Sequence, residues 1–173
     1  MCARKVVEGA GVSGFDPKSL KGIAAECPGF QARATARSIT RYYNACFKPF
    51  ALTAEQFSLL VGIGAAEGAT LVELAMSAGV DATTLSRNFR NLEERGLVSA
   101  EGGRGRAGKR LSLTGSGCSL MVEALPAWKK AKAELSRRLG DQKLRSTRRG
   151  MAELAKAAEA LSSVAREPSP RSR

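Results

Sequence analysis

Residues 70–98 read TLVELAMSAGVDATTLSRNFRNLEERGLV, and this stretch decides the fold. Its first part has the signals of a short helix. Thr70 with Glu73 three residues later is typical of a capping box at a helix start, and Gly79 is typical of a helix end. A second helix is predicted directly afterwards, over residues 83–95. Two helices joined by so short a turn predict a helix-turn-helix.

The second helix, capped by Asp81 or Thr83, has one apolar and one polar face. Leu85, Phe89 and Leu92 fall at i, i+4 and i+7. The major groove of B-DNA, about 12 Å wide, accepts one α-helix, so we expect the polar face to contact DNA. The candidate contact residues are Thr83, Thr84, Ser86, Arg87, Arg90 and Asn91. The alternative is an ordinary amphipathic helix whose polar face is only solvated.

A basic, Gly-rich turn follows this helix. Apolar alternations at residues 97–99 and 111–114 flank the stretch EGGRGRAGKR and predict a β-hairpin. The cations of this turn are Arg104, Arg106, Lys109 and Arg110. Exposed like charges repel one another, so we expect these side chains to meet phosphates or the negative minor groove of DNA. A merely solvated loop is the alternative.

Composition favours a polyanionic partner. The 173 residues include 28 Lys and Arg against 16 Asp and Glu, which gives a net charge of +12. Such an excess points to nucleic acid or to an anionic membrane surface. Histidine is absent, which removes most zinc, copper and Ser–His–Asp chemistry. With no clustered carboxylate pair and no phosphate-binding G-x-x-x-x-G-K-[ST] motif, we expect no enzyme, no catalytic residue, no metal and no cofactor.

The cysteines and the hydropathy pattern indicate where the protein works. Cys2, Cys27, Cys46 and Cys118 form no C-x-x-C pair and are interpreted as reduced thiols. No secretory signal is recognisable, and the longest mostly apolar stretch, residues 57–66, is too short to span a bilayer. We therefore expect a cytoplasmic protein with no membrane partner.

The patterns together predict a mainly α protein with a small β-hairpin, organised in five segments. These are a flexible N-terminal arm (1–19), an N-terminal helix for dimerisation and a pocket (20–50), a winged helix-turn-helix module (51–115), C-terminal dimerisation helices (116–165) and a disordered tail (166–173). The N-terminal helix is predicted over residues 30–47. The next helix is predicted to begin with a capping box at Thr53 and Gln56 and to fade at Gly62 and Gly64.

Two C-terminal helices carry apolar residues at coiled-coil-like spacing. The first has Met121, Leu125, Trp128, Leu135 and Leu139, and the second has Met151, Leu154, Ala158 and Leu161. In a monomer these stripes would be core. Because few other elements remain to cover them, we expect burial across the two-fold axis of a homodimer. Residues 129–149 hold nine Lys or Arg against two acids, which indicates a solvated face or contacts with flanking DNA or acidic effectors.

Several stretches resemble the MarR family of bacterial transcriptional regulators. They are the run LTAEQFSLL, then DATTLSRNFRNLEERGLV, the basic wing and LSLTGSG. The resemblance covers about residues 30–161. It implies a winged helix-turn-helix between N- and C-terminal helices that form a symmetric dimer. It also implies binding to pseudo-palindromic operators, usually as a repressor relieved by a small phenolic or lipophilic anion or by thiol oxidation.

The wing departs from the family pattern. Where family members often have Asp-x-Arg, this chain has Arg104-Gly105-Arg106, so that Arg106 matches the arginine that enters the groove and its acidic partner is replaced by a cation. We expect Arg104 to add a phosphate contact and binding to depend more steeply on salt.

The chain offers two candidate sensing sites. One is an effector pocket between the first helix and the winged module, where arginines could hold a carboxylate. Its candidate lining is Arg37, Arg41, Tyr42 and Phe57. The other is Cys27. Hydroperoxide-sensing members of the family have a reactive cysteine at the position that corresponds to Gly29, and Cys27 lies two residues before it. Thiol sensing would require a lowered pKa and access to solvent.

Three classes of function remain. A sequence-specific repressor with double-stranded operator DNA, a second copy of itself and a small effector as partners accounts for the charge, the helix pair, the wing and the stripes. A non-specific DNA-binding protein accounts for the charge alone. An enzyme has little support.

Overall fold

The computed structural model describes residues 20–103 and 108–164. The chain forms two compact units, with the division between Tyr42 and Tyr43. The expectations for the N-terminal arm, the C-terminal tail, Arg104 and Arg106 lie outside the described residues.

The helices and the hairpin follow the predicted order. They are α1 (Ile23–Glu26), α2 (Pro28–Phe47), a 3-10 turn (Lys48–Phe50), α3 (Ala54–Ala65), α4 (Leu71–Ala78), α5 (Ala82–Glu94), β1 (Val98–Glu101), β2 (Arg110–Leu113), α6 (Gly115–Leu139) and α7 (Asp141–Val164). Within these ranges no helix has the length and apolar character needed to cross a bilayer.

The N-terminal unit holds α1 and the first part of α2. Helix α2 begins at Pro28, two residues before the predicted start, because proline lacks only an N–H that the first turn leaves unpaired. The carbonyl of Cys27 accepts the N–H groups of Phe30 at 3.1 Å and Gln31 at 3.2 Å. Gln31 Nε2 in turn donates to the carbonyl of Ala24 at 3.0 Å, which ties α1 to α2. Helix α1 was not predicted, since four residues show no periodicity.

Both predicted capping boxes are confirmed. The Thr53 hydroxyl accepts the Gln56 N–H, and Gln56 Oε1 accepts the Thr53 N–H, at the start of α3. Thr70 and Glu73 form the same reciprocal pair at the start of α4. Helix α3 passes through both glycines and ends at Ala65, one residue beyond the predicted end. A Cβ at Gly64 would lie 3.0 Å from the Leu113 side chain, so a glycine here lets the hairpin approach the helix.

The helix-turn-helix is closed by Gly79 and Asp81. Gly79 has φ 60°, and the N–H of Val80 donates to the carbonyl of Ala75 at 3.1 Å, the geometry of a Schellman motif. Asp81, rather than Thr83, caps α5, which therefore starts at Ala82.

The hairpin is a two-stranded antiparallel sheet. Its register pairs Val98 with Leu113 and Glu101 with Arg110. Strand β1 starts one residue later than predicted because the N–H of Leu97 donates to the carbonyl of Leu92 at 3.0 Å. Strand β2 ends before Thr114, whose side chain caps α6.

The core of the second unit lies among α3, α4, α5, the hairpin and the start of α6. Its largest fully buried side chains are Phe47, Leu60, Ile63 and Leu92. The Phe47 ring stacks on Phe57, with ring centroids 4.1 Å apart. The apolar face predicted for α5 is buried as expected, at Leu85, Phe89 and Leu92.

The C-terminal stripes are only partly covered. On α6, Met121 is buried and Leu125 is exposed. The helix continues unbroken past Pro126. On α7, Met151, Leu154 and Leu161 are 42%, 45% and 73% exposed. The outer part of α7 therefore presents an apolar row to solvent in the single chain.

Candidate nucleic-acid interface

Helix α5 exposes the polar side chains that the sequence singles out. Thr83, Thr84, Arg87, Arg90 and Asn91 are exposed and Ser86 is half-buried. Since the opposite face is buried in the core, the helix is fixed with its polar side outward. Within the described chain neither Arg87 nor Arg90 belongs to an ion pair, so both guanidinium groups are available to an external anion.

The first backbone N–H groups of α5 are hydrogen-bonded by the capping residue. Asp81 Oδ1 accepts the N–H of Thr83 at 2.9 Å and that of Thr84 at 3.1 Å. These two residues therefore offer their side-chain hydroxyls to a ligand, because their backbone donors are already bonded.

Asn91 has a role inside the protein that its sequence position did not reveal. Its Oδ1 accepts a hydrogen bond from Gln56 Nε2 at 2.7 Å. Gln56 is the one polar side chain among the buried residues of the described ranges. Residues 35 positions apart form this bond, so no local pattern could predict it.

Arg110 is held at the base of the hairpin. Its Nη1 donates to the carbonyl of Gly68 at 2.8 Å and lies 3.7 Å from Glu73 Oε2. The Leu111 N–H donates to the carbonyl of Ala69 at 3.0 Å, which fastens the hairpin to the segment before α4. Of the four cations grouped in the sequence, Arg110 is thus occupied within the protein.

The tip of the hairpin is set by two glycines. A Cβ at Gly103, where φ is 71°, would lie 2.2 Å from the carbonyl oxygen of Gly108, so the two backbones meet where only glycine fits. Residues 104–107, which include Arg104 and Arg106, lie between these glycines and outside the described residues. Lys109 follows directly and is half-buried.

The predicted pocket residues are divided between the two units. Arg37 and Arg41 lie one turn apart on α2 and are exposed, and Arg41 Nη2 donates to Ser38 Oγ at 3.2 Å. Tyr42 is half-buried, and Phe57 is buried in the core of the second unit. The effector pocket stays a prediction.

Cys27 sits at the N-terminal end of α2 and is half-buried. The backbone N–H of Phe30, and then that of Gly29, donate to the thiol and hold the pKa of Cys27 below its usual value, with a smaller contribution from the Arg33 guanidinium. Hydrogen bonds of this kind favour the thiolate, the form that reacts with oxidants.

Comparison with known proteins fits this geometry. The sequence profile of the MarR family matches residues 52–101. The transcriptional regulator MosR of Mycobacterium tuberculosis is 36% identical, with the alignment covering 79% of this chain and 98% of MosR and a TM-score of 0.71. The chain belongs to the MarR family. It is a transcriptional regulator of that family, and its two-stranded hairpin is the wing of a winged helix-turn-helix.

Two further structures of M. tuberculosis proteins are similar. MosR in complex with DNA is 35% identical, covers 79% of this chain and 98% of its own, and has a TM-score of 0.70. The MarR-family protein Rv2887 in complex with salicylic acid is 25% identical, covers 73% of this chain and 95% of its own, and has a TM-score of 0.57. A comparison with curated protein sequences gives no significant match.

Proposed function

We propose that this MarR-family regulator is a homodimeric repressor of the cytoplasm that binds a pseudo-palindromic operator. Helix α5 enters the major groove, and the basic wing enters the minor groove. A small aromatic or lipophilic anion releases the protein from DNA. The proposed role is binding, without catalysis.

One observation carries the proposal: α5 buries three apolar side chains and turns Thr83, Thr84, Arg87 and Arg90 outward. Arginine can pair bidentately with a guanine edge or contact a phosphate, and threonine hydroxyls can contact either. The complex of MosR with DNA supports the same use of this fold. The net charge of +12 supplies the attraction to the duplex.

The dimer is proposed from the exposed row on α7. Met151, Leu154 and Leu161 would remain in water in a single chain, and a second copy would cover them. A two-fold axis would also set two copies of α5 about 34–36 Å apart, which is one turn of DNA.

The proposal is tested by selecting DNA from a random pool with the full-length chain. We expect the retained sequences to share an inverted repeat, because two identical helices read two identical half-sites. Arg87→Ala is expected to relax the preference at one or two base pairs of each half-site and to cost about 1–3 kcal/mol if its contact is to a base.

Arg145→Ala is the matched control, since it removes the same charge from an exposed position on α7. It should leave the base preference unchanged. Selection that retains no common sequence would instead make the protein a non-specific DNA-binding protein.

The effector part of the proposal rests on exposed cations. Arg37 and Arg41 lie on one face of α2, as i and i+4, and can share an anionic group. Salicylic acid in the Rv2887 structure is a small aromatic acid of the class that we propose.

A second candidate is a thiol-based repressor that uses Cys27. The hydrogen bonds from Phe30 and Gly29 favour this candidate because they stabilise a thiolate at a partly exposed position. A hydroperoxide would oxidise the Cys27 thiolate to a sulfenic acid, which would place a different group at the start of α2.

The redox candidate predicts the behaviour of two serine variants. An organic hydroperoxide should release the wild type and Cys118→Ser from operator DNA and should leave Cys27→Ser bound. Release is measured by fluorescence anisotropy of a labelled operator. A wild type that stays bound, or a Cys27→Ser variant that is released, rejects thiol sensing through this residue.

A further inference from the structure

The described contacts link a buried amide of α3 to the exposed face of α5. Gln56 donates through Nε2 to Asn91 Oδ1 at 2.7 Å, and its Oε1 accepts the Thr53 N–H at 3.0 Å. Resting on the function proposed above, we infer that Gln56 is a positioning residue that turns Asn91 into a donor for a DNA phosphate.

The direction of both amides follows from one backbone group. The Thr53 N–H can only donate, so the atom of Gln56 that faces it must be the oxygen. The other end of the Gln56 amide is then the nitrogen, which can only donate to Asn91. Asn91 therefore turns its oxygen toward α3, and no alternative assignment of oxygen and nitrogen satisfies all three groups.

The orientation leaves Asn91 Nδ2 for an external acceptor. Asn91 is exposed, and Nδ2 has no acceptor within the described residues. Bidentate recognition of adenine requires the oxygen as well as the nitrogen to face the base edge. Because Gln56 holds the oxygen toward α3, Asn91 contributes a donor without this adenine contact.

The place of Asn91 on α5 favours a phosphate over a base. Recognition helices contact base edges mainly with their N-terminal residues, and Asn91 lies near the C-terminal end of Ala82–Glu94. Arg87 lies one turn before it on the same side of the helix, so that a guanidinium and an amide donor present one polar edge. An amide donor at this end of the helix suits a backbone oxygen, which positions the helix and carries no sequence information.

The test is a set of operators in which one phosphate at a time is a neutral methylphosphonate. Asn91→Ala should weaken binding to the unmodified operator and to random DNA by a similar factor, about tenfold for one hydrogen bond to a charged oxygen. At one phosphate in each half-site, the methylphosphonate should weaken the wild type, and Asn91→Ala should add no further loss there.

Two variants of Gln56 separate positioning from helix capping. Gln56→Glu keeps an oxygen for the Thr53 N–H, whereas Gln56→Met removes both hydrogen bonds at similar volume. They share only the loss of the Nε2 donor. In both variants, the methylphosphonate at this phosphate should therefore no longer weaken binding. Thermal unfolding measures the stability of each variant separately. A merely structural role for Gln56 would not act through one phosphate.

The outcomes distinguish this inference from the proposed function. If the wild type prefers its selected operator but Asn91→Ala has no effect, or relaxes the preference at one base pair, the positioning role is wrong and the function stands. If the methylphosphonate weakens both Gln56 variants as much as the wild type, the positioning role is also wrong. Should neither Gln56 variant fold, Asn91→Ala, a change at an exposed position, still decides whether Asn91 donates to one phosphate. A wild type without any operator preference refutes the function itself.

Discussion

At the scale of single residues, Gly117 shows how the wing is joined to α6. A Cβ at Gly117 would lie 2.0 Å from the carbonyl oxygen of Leu97, and the Thr114 hydroxyl donates to the carbonyl of Gly96 at 2.6 Å. The first turn of α6 thus packs directly on the backbone between α5 and β1. The Thr and the last Gly of LTGSG are explained by this contact.

Gly117→Ala is therefore expected to lower the free energy of unfolding by about 1–3 kcal/mol, since the added methyl group forces backbone apart. Gly115→Ala is the control in the same turn, because a Cβ there meets nothing within 4 Å. Urea denaturation should show little change, or a small gain, for the control. Equal losses in the two variants would contradict the close approach.

At the scale of elements, the capping box of α4 also anchors the wing. The Thr70 N–H donates to Glu73 Oε2 at 2.7 Å, and Arg110 of β2 lies beside the same carboxylate. The backbone N–H of Thr70 is the main cause of the lowered pKa of Glu73, with the Thr70 hydroxyl and Arg110 adding to it. One exposed carboxylate thus serves both the start of a helix and a strand.

The lowered pKa of Glu73 predicts a pH dependence of stability. Because the folded state binds this proton less tightly than the unfolded state, the carboxylate stabilises the fold above the ordinary value of 4.5 and this contribution is lost as the pH falls through the lower folded pKa. Thermal unfolding should show a smaller loss on acidification in Glu73→Gln than in the wild type. Glu67→Gln controls for net charge, and an unchanged acid profile in Glu73→Gln would contradict the role of the box.

The elements also show what local sequence can predict. Capping boxes, the Gly79 turn and the hairpin depend on residues a few positions apart, so the local sequence predicts them close to their observed bounds. Sequence alone does not choose between Asp81 and Thr83 as the cap of α5, because either residue type can cap a helix. The Gln56–Asn91 and Arg110–Gly68 bonds join distant segments, and only the packed fold brings their partners together.

At the scale of the whole molecule, the apolar row on α7 and the cationic surface call for different partners. The exposed Met151, Leu154 and Leu161 suit a second copy, whereas the net charge of +12 suits a polyanion. A dimer on a symmetric operator satisfies both at once. Neither partner alone would cover the apolar row and also neutralise the charge.

A hydroxyl-radical footprint on the selected operator, with the mass of the complex measured on the same sample, tests this claim most directly. We expect two chains per duplex and two protected half-sites related by symmetry, with centres about 10–10.5 base pairs apart. A single protected patch bound by one chain, or protection spread evenly over the fragment, would contradict it.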